Sequence, residues 1–531
     1  MRIVGFCQGK PVVKLYKKAA SISLLTLASR ILGVVRDALI AFVFGASAVS
    51  DIFFVVFRPF DLLRKMMSEG ILSISFVPEF ARLLAQCEQE CDANIGKEKA
   101  GGMALSALFW VSFFSAILVC LGLWLAPLAV PLLAPGYADD PYAGVLAAML
   151  LKIMLPYGAI IVIVALSMGV LNALGNFAAP AATPLLLNLT IIGATLLLED
   201  VFDPGVMVLA FGVTLGGVMQ LLFQLPWLRG HGLFSFRYFS LCHPGVIRAG
   251  RALLPSMIGA AAFQINILVA GLIATTLIPG SVSCLYYSER LVQFPLALFV
   301  TSVSTVFLPL LSKNAARSDM NAVSPAFESA MRLVFFLAIP AMAGIMALDA
   351  PIVSFLFGRG AFDAAAAERT ARCLFFLASG LWAVAGTRLF ITYHYAVGDI
   401  RFPFYAGILS VLVNLGAGCL LVGPMGVEGL AISVSLAAAA GFAFLLVCSG
   451  TGINRGGLLV SACRSLFLSG IMAFLVGWLG PIWITGSGLT RGLGLFAVVA
   501  AGAGCFFTGA LLTKSPELAL AGKVLLKRKR K

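Results

Sequence analysis

Apolar stretches long enough to cross a lipid bilayer follow one another along almost the whole chain, and that alone restricts the fold to a polytopic helical membrane protein. A transmembrane helix needs about 20 predominantly apolar residues, and in hydrocarbon its backbone polar groups must be satisfied within the segment itself. Fourteen such spans fit, beginning with 19–45 and 52–83 and closing with 458–480 and 491–513. Composition agrees: 61% of residues are hydrophobic and 11% charged, against about 25% charged in an ordinary soluble domain. Lys10, Lys14, Lys17 and Lys18 precede an apolar run that contains Arg30 and continues past any small-residue cleavage site, so the first span reads as a retained helix, not a signal peptide.

Loop charge orients the spans. With the N-terminus in the cytoplasm, the cytoplasmic loops and ends hold 23 Lys and Arg, and the opposite side holds only Arg359, Arg369, Arg372 and Arg491. The positive-inside rule then puts both termini in the cytoplasm. The formal net charge of +14 is concentrated beside membrane spans, which argues against nucleic acid as its partner. The terminal run Lys527–Lys531 has no stacking aromatics and reads as an anchor to anionic phospholipid.

The chain also repeats itself. Gly205–Ala210 with Val213-Thr214-Leu215 returns as Gly426–Ala431 with Val434-Ser435-Leu436. Ala173-Leu174-Gly175-Asn176 with Pro180 returns as Ala396-Val397-Gly398-Asp399 with Pro403. Leu39-Ile40-Ala41, Val49-Ser50 and Phe53-Phe54 return as Leu272-Ile273-Ala274, Val282-Ser283 and Tyr286-Tyr287. The offsets are 221, 223 and 233 residues, in chain order. Six spans separate equivalent helices, an even number, so the copies share one orientation. Parallel repeats of this kind build transporters whose substrate site lies between the halves near the midplane. The expected architecture is an all-α bundle of 14 transmembrane helices, with two six-helix repeats around a central cavity and two further helices. Its parts are an N-terminal lobe (1–230), a C-terminal lobe (231–450), and the last two spans with a basic tail (451–531).

Against this apolar background, Arg30, Arg36, Arg64 and Arg290 fall inside spans. A charge at the bilayer centre costs about 2.5–3.5 kcal/mol on insertion scales, so such residues normally face a wet interior. Arg30 lies too far from either end of its apolar stretch to snorkel to an interface. On the second span, Arg58, Asp61, Lys65 and Glu69 follow three- and four-residue steps and share one helix face, with Arg64 beside them. Asp37 and Asp51 stand near Arg36, and Glu289 near Arg290. Most of these charges lie in the first repeat: the 233-residue offset aligns Arg36-Asp37 with Val269-Ala270, and Arg64 with Ala297. Guanidinium forks bind phosphate oxygens in pairs and stay charged at any biological pH. A pyrophosphate-linked lipid, with a head to grip and a tail to leave in the bilayer, is the ligand class these residues suit.

Enzymatic chemistry finds little support. No histidine lies on spans 1, 2 or 8, and the acidic residues are interleaved with arginines instead of clustered for a metal or a positioned base. The eleven cysteines show no pairing pattern, and Cys87 and Cys91 lack the further ligands a zinc site needs. No catalytic residue, metal or cofactor is expected.

The run Ser29-Arg30-Ile31-Leu32-Gly33-Val34-Val35-Arg36-Asp37, with Phe44-Gly45-Ala46, Ser50–Phe54, Leu62-Leu63-Arg64 and Glu69-Gly70, resembles the MurJ (MviN-like) lipid II flippases. So does Tyr286–Pro295, followed by Leu308-Pro309. The resemblance covers nearly the whole chain and implies membership of the multidrug/oligosaccharidyl-lipid/polysaccharide exporter superfamily. It implies a flippase that moves undecaprenyl-pyrophosphate-linked disaccharide-pentapeptide to the outer leaflet of the bacterial inner membrane, working as a monomer beside cell-wall synthesis proteins. The family's cavity arginines match Arg30, Arg36, Arg64 and Arg290, and its second-span acids match Asp51 and Glu69. In the family the last two spans form a groove for the polyprenyl tail. Two departures bear on energy coupling. Gln293 stands where some members carry glutamate, and Ala270 stands near where some carry an aspartate of a sodium site, so membrane potential is the expected drive. A cation-coupled drug or lipid-linked oligosaccharide exporter of the same superfamily is the alternative. A net-positive cavity repels the cationic substrates common among the drug exporters.

Overall fold

The computed structural model describes residues 10–67, 75–89, 93–230, 238–316, 320–399, 401–448, 450, 452–486 and 488–520. Among the described residues seventeen α-helices and two short 3-10 turns carry the fold, and no strand occurs. In order they are α1 Lys10–Phe44, α2 Ala48–Met66, α3 Val77–Gln89, α4 Ala93–Leu133, α5 Pro141–Ala173, α6 Ala178–Leu198, α7 Met207–Gly230, α8 Pro244–Ala274 and α9 Ser281–Ala316. There follow α10 Met320–Ala347, α11 Asp349–Leu356, α12 Ala364–Ser379, α13 Leu381–Val397, α14 Arg401–Met425, α15 Val427–Cys448, α16 Arg455–Trp483 and α17 Leu489–Leu512.

Among the described residues nine helices are long and apolar enough to cross a membrane, and ten if α12 and α13, bent by 46°, form one broken span. Helices α1, α2, α8 and α9 occupy the places of the remaining expected spans 1, 2, 7 and 8. The helix stops are written locally. Asp140 caps α5 by accepting from the Tyr142 and Ala143 amides at 2.9 and 3.1 Å, with Pro141 at the first helical position. Asp363 caps α12 and Asn454 caps α16 in the same way. Gly398 ends α13 with φ of 78°, a left-handed geometry that glycine adopts freely. Within the expected second span 52–83 the described residues form α2, Ala48–Met66, and the helix Val77–Gln89, the latter with Phe80 buried on one face and Arg82 exposed on the other.

The chain divides into two compact units. One comprises residues 1–40 and 52–261, the other residues 41–51 and 262–531. In the first, α6 packs on α7 and α5 packs on both α4 and α7. One of its apolar clusters gathers Met66, Phe76, Phe80, Met103, Leu166 and Leu171. In the second, α14 packs on α15, α9 packs on α12 and α13, and α10 and α17 pack on α16. Many large apolar side chains point outward, Leu132 (78% exposed), Leu420 (78%) and Phe474 (80%) among them. A lipid-facing surface requires that, and a soluble one would not tolerate it.

Candidate functional site

One face of α1 presents Ser29, Gly33 and Arg36 at four- and three-residue steps. Asn188 of α6 meets that face. Arg36 is 6% exposed. Its Nε and Nη2 donate to Asp37 Oδ1 at 3.0 and 2.6 Å, and its Nη1 donates to Asn188 Oδ1 at 3.1 Å. The Asn188 amide nitrogen donates to the Ser29 carbonyl at 3.0 Å, and a Cβ on Gly33 would reach within 3.7 Å of that nitrogen. Arg30 follows Ser29 in the chain and is half-buried. An arginine only donates and a carbonyl only accepts, so these two partners fix the orientation of the Asn188 amide.

On α2, Asp61 receives Arg64 Nη2 at 2.6 Å and Lys65 Nζ at 2.9 Å on its two oxygens. Arg58 and Asp61 are buried at 8% and 7% exposure. Tyr157 of α5, fully buried, packs edge-on against Phe60 of α2. Glu69, expected on the same face, lies outside the described residues.

In the second unit, Arg290 donates through Nε and Nη2 to the Tyr286 hydroxyl at 3.1 and 2.8 Å, and its guanidinium stands 4.9 Å from the centroid of that ring. Glu289 accepts from Gln293 at 2.6 Å. A glutamate at 293 would meet Glu289 as a second acceptor, so the amide found there fits its neighbour. Asp51 has a different setting from the one its sequence position suggests. Instead of balancing Arg36, it is 3% exposed and caps the start of α9, accepting from the Gly280 and Ser283 amides, both at 2.7 Å, and from the Ser283 hydroxyl at 2.5 Å. Ser50 and Ser283, equivalent under the 233-residue repeat, lie 2.9 Å apart through their hydroxyls. The carboxylate that meets Arg36 is Asp37.

Asn188 escaped the sequence reading because an uncharged side chain inside a span draws no attention. The repeat carried its signal. Asn188 lies on the fifth span of the first copy, and Asn414 lies on the fifth span of the second. Asn414 donates to the Asn266 carbonyl on α8 at 2.8 Å and accepts from Ser433 at 2.8 Å. Each asparagine therefore ties its helix to a carbonyl of the first helix in its own repeat. The set around Asn414 is neutral, and Ala270, one turn beyond Asn266, is buried. A separate cavity of about 530 Å³ in the second unit is lined by Asp349, Ser354, Asp363, Glu368, Arg372 and Arg491 among others. None of the residues expected to bind substrate lines it. Among the described residues no group of three or more His, Cys, Asp or Glu is placed to hold a metal.

Long apolar helices with arginines and carboxylates buried among them define a polytopic membrane protein that holds charge at membrane depth, the makeup of a transporter. The sequence profile described as "Lipid II flippase MurJ" matches residues 40–494. A probable lipid II flippase MurJ of Vibrio cholerae is 34% identical over 439 residues, covering 81% of this chain and 82% of that protein. The lipid II flippase MurJ of Burkholderia cenocepacia is 32% identical, covering 80% and 82%. A solved lipid II flippase MurJ in an inward closed conformation superposes with a TM-score of 0.76 over 93% of this chain and 98% of its own, at 24% identity. An inward-facing multidrug resistance MATE family transporter of the MOP superfamily superposes with a TM-score of 0.66 at 15% identity, over 86% and 98%, a likeness of fold alone. The chain belongs to the MurJ lipid II flippase family.

Proposed function

We propose that the protein is a lipid II flippase of the bacterial inner membrane, with Arg30, Arg36, Arg64 and Arg290 gripping the pyrophosphate while the polyprenyl tail stays in lipid. The observation that carries this reading is the family match across residues 40–494, in a chain that keeps arginines inside its apolar helices. A lipid-linked diphosphate offers several anionic oxygens in one place, and guanidinium groups held in a low-dielectric surround bind them more strongly than they would in water. Asp37 and Asp61 offset part of the arginines' charge, which lowers the cost of holding cations at membrane depth and still leaves the site net positive for an anionic ligand. Transport needs no covalent step: the headgroup is captured from the inner leaflet and released outside as the two repeats rock. Membrane potential drives the cycle, and Lys527–Lys531 anchors the tail to anionic phospholipid. The protein works as a monomer beside the cell-wall synthesis machinery.

The test is a leaflet-accessibility assay for lipid II in cells depleted of the protein. Wild-type chain restores outward exposure of the headgroup. Arg30→Ala and Arg290→Ala insert and fold but lower translocation by at least about tenfold, the scale of one lost charge-assisted hydrogen bond. Wild-type translocation by both variants removes the arginines from the mechanism. Export of a cationic dye in place of lipid II moves the protein to the drug exporters.

A further inference from the structure

We infer that Asn188 is a positioning residue for pyrophosphate capture: it sets the plane of the Arg36 guanidinium and ties it to the turn of α1 that carries Arg30. The inference rests on the reading that Arg36 binds the substrate's pyrophosphate. Three observations carry it. Two helices hold Arg36, α1 with Asp37 through Nε and Nη2, and α6 with Asn188 through Nη1. Asn188 in turn holds the Ser29 carbonyl, one residue before Arg30. All of Arg36, Asp37 and Asn188 are buried, at 6%, 3% and 7% exposure, so water does not compete for these bonds.

The choice of asparagine is chemically specific. Its carbonyl oxygen accepts from the guanidinium and its NH₂ donates to a backbone carbonyl, so one side chain serves opposite polarities without adding charge. Aspartate would accept from Arg36 but place a second carboxylate on it and face the Ser29 carbonyl as a fellow acceptor. Leucine would fill the volume and leave both partners unsatisfied. The second repeat holds the control. Asn414 makes the same bond to a first-helix carbonyl, at Asn266, but its oxygen takes a serine hydroxyl where Asn188 takes an arginine. The brace is common to both repeats, and the arginine contact belongs to the first alone.

The experiment measures lipid II affinity and thermal stability of the full-length chain in detergent micelles for five variants. Asn188→Asp is expected to weaken lipid II binding by at least about tenfold, because a second carboxylate then meets the Arg36 guanidinium and competes with the pyrophosphate for it. Asp37→Asn combined with Asn188→Asp restores one carboxylate and recovers most of that loss. Asn188→Ala and Asn414→Ala lose comparable thermal stability, but only Asn188→Ala loses affinity. Arg36→Ala tests the underlying reading: wild-type affinity there overturns both that reading and this inference. Reduced affinity in Arg36→Ala with wild-type affinity in Asn188→Asp overturns the inference and leaves the reading standing. Equal loss of affinity in Asn188→Ala and Asn414→Ala, or no recovery in the double variant, reduces Asn188 to a structural brace and also overturns the inference.

Discussion

Asp51 shows how far a single buried carboxylate can shape its surroundings. It accepts from two backbone amides and one hydroxyl at the start of α9, all within 2.7 Å. Those donors have no water to turn to once it is removed. Asp51→Ala is expected to lower unfolding stability by about 1–3 kcal/mol, the desolvation cost of a stranded buried donor, and Asp51→Asn by less because one acceptor oxygen remains. Thermal unfolding in detergent checks both, and an unchanged midpoint in the alanine variant removes the capping role. The residues that sequence could and could not reveal separate along the same physical line. Charge inside an apolar run is costly, so Arg30, Arg36, Arg64 and Arg290 stand out without coordinates. The choice between Asp37 and Asp51 as partner of Arg36 is a matter of direction, and spacing along the chain does not encode it.

At the scale of the helix pair, α7 packs on α6 through Gly212 and Gly216, a small-xxx-small pattern that lets backbones approach closely. A Cβ on Gly216 would stand 2.7 Å from Leu187 Cδ1, 2.6 Å from Thr190 Oγ1 and 3.2 Å from the Leu187 Cα. The Cα is backbone and cannot rotate away. Gly216→Val is therefore expected to cost about 1–3 kcal/mol by overpacking, read as a lower unfolding temperature, and a neutral result would mean that α6 and α7 slide apart freely. The repeat matches Gly212 and Gly216 with Ser433 and Ala437, so the small seam was legible in sequence once the copies were aligned. Helix α3 was less legible, because its apolar positions continue those of α2 along the sequence. Its Glu79 makes ion pairs with Arg82 and with Arg248 of α8, and the hydrogen bond from Arg82, with Arg248 adding to it, holds the carboxyl down to about 2. Nearby, burial lowers His243 below its ordinary value, Arg248 adding to the effect and Glu79 opposing it, while His243 Nδ1 accepts from the Gly245 amide. Both groups have folded values below their unfolded ones, so both favour folding at neutral pH and lose that contribution in acid. Stability of the α3–α8 region should begin to fall as pH drops below about 6.5, as His243 titrates in the unfolded state, and further below about 4.5, where Glu79 follows. Hydrogen exchange across α3 and the first turns of α8 checks the sequence of losses. His243→Gln should remove the earlier one and leave the later.

For the whole molecule the decisive quantity is where the positive charge lies relative to the bilayer. Twenty-three Lys and Arg fall in loops and ends on one side of the expected spans, and four on the other. Each cation near an anionic leaflet surface is favoured by about 1 kcal/mol, and retention of short basic loops during insertion acts in the same sense. The loop between α7 and α8 belongs to the basic side: Arg229, Arg248 and Arg251 flank it, and Cys242 is exposed within it. The turn between α4 and α5 belongs to the other side, with Asp139 and Asp140 exposed. If a pyrophosphate headgroup is to be captured from the cytoplasmic leaflet, the Cys242 loop must face the cytoplasm and Asp139 must face outward. In a variant whose other cysteines are replaced, an impermeant maleimide applied to intact spheroplasts should leave Cys242 unlabelled until lysis. With Cys242 replaced as well and Asp139→Cys introduced, labelling should be complete before lysis. The reverse pattern would invert the protein in the membrane, and capture would then begin from the leaflet in which peptidoglycan precursors are used instead of the one in which they are made.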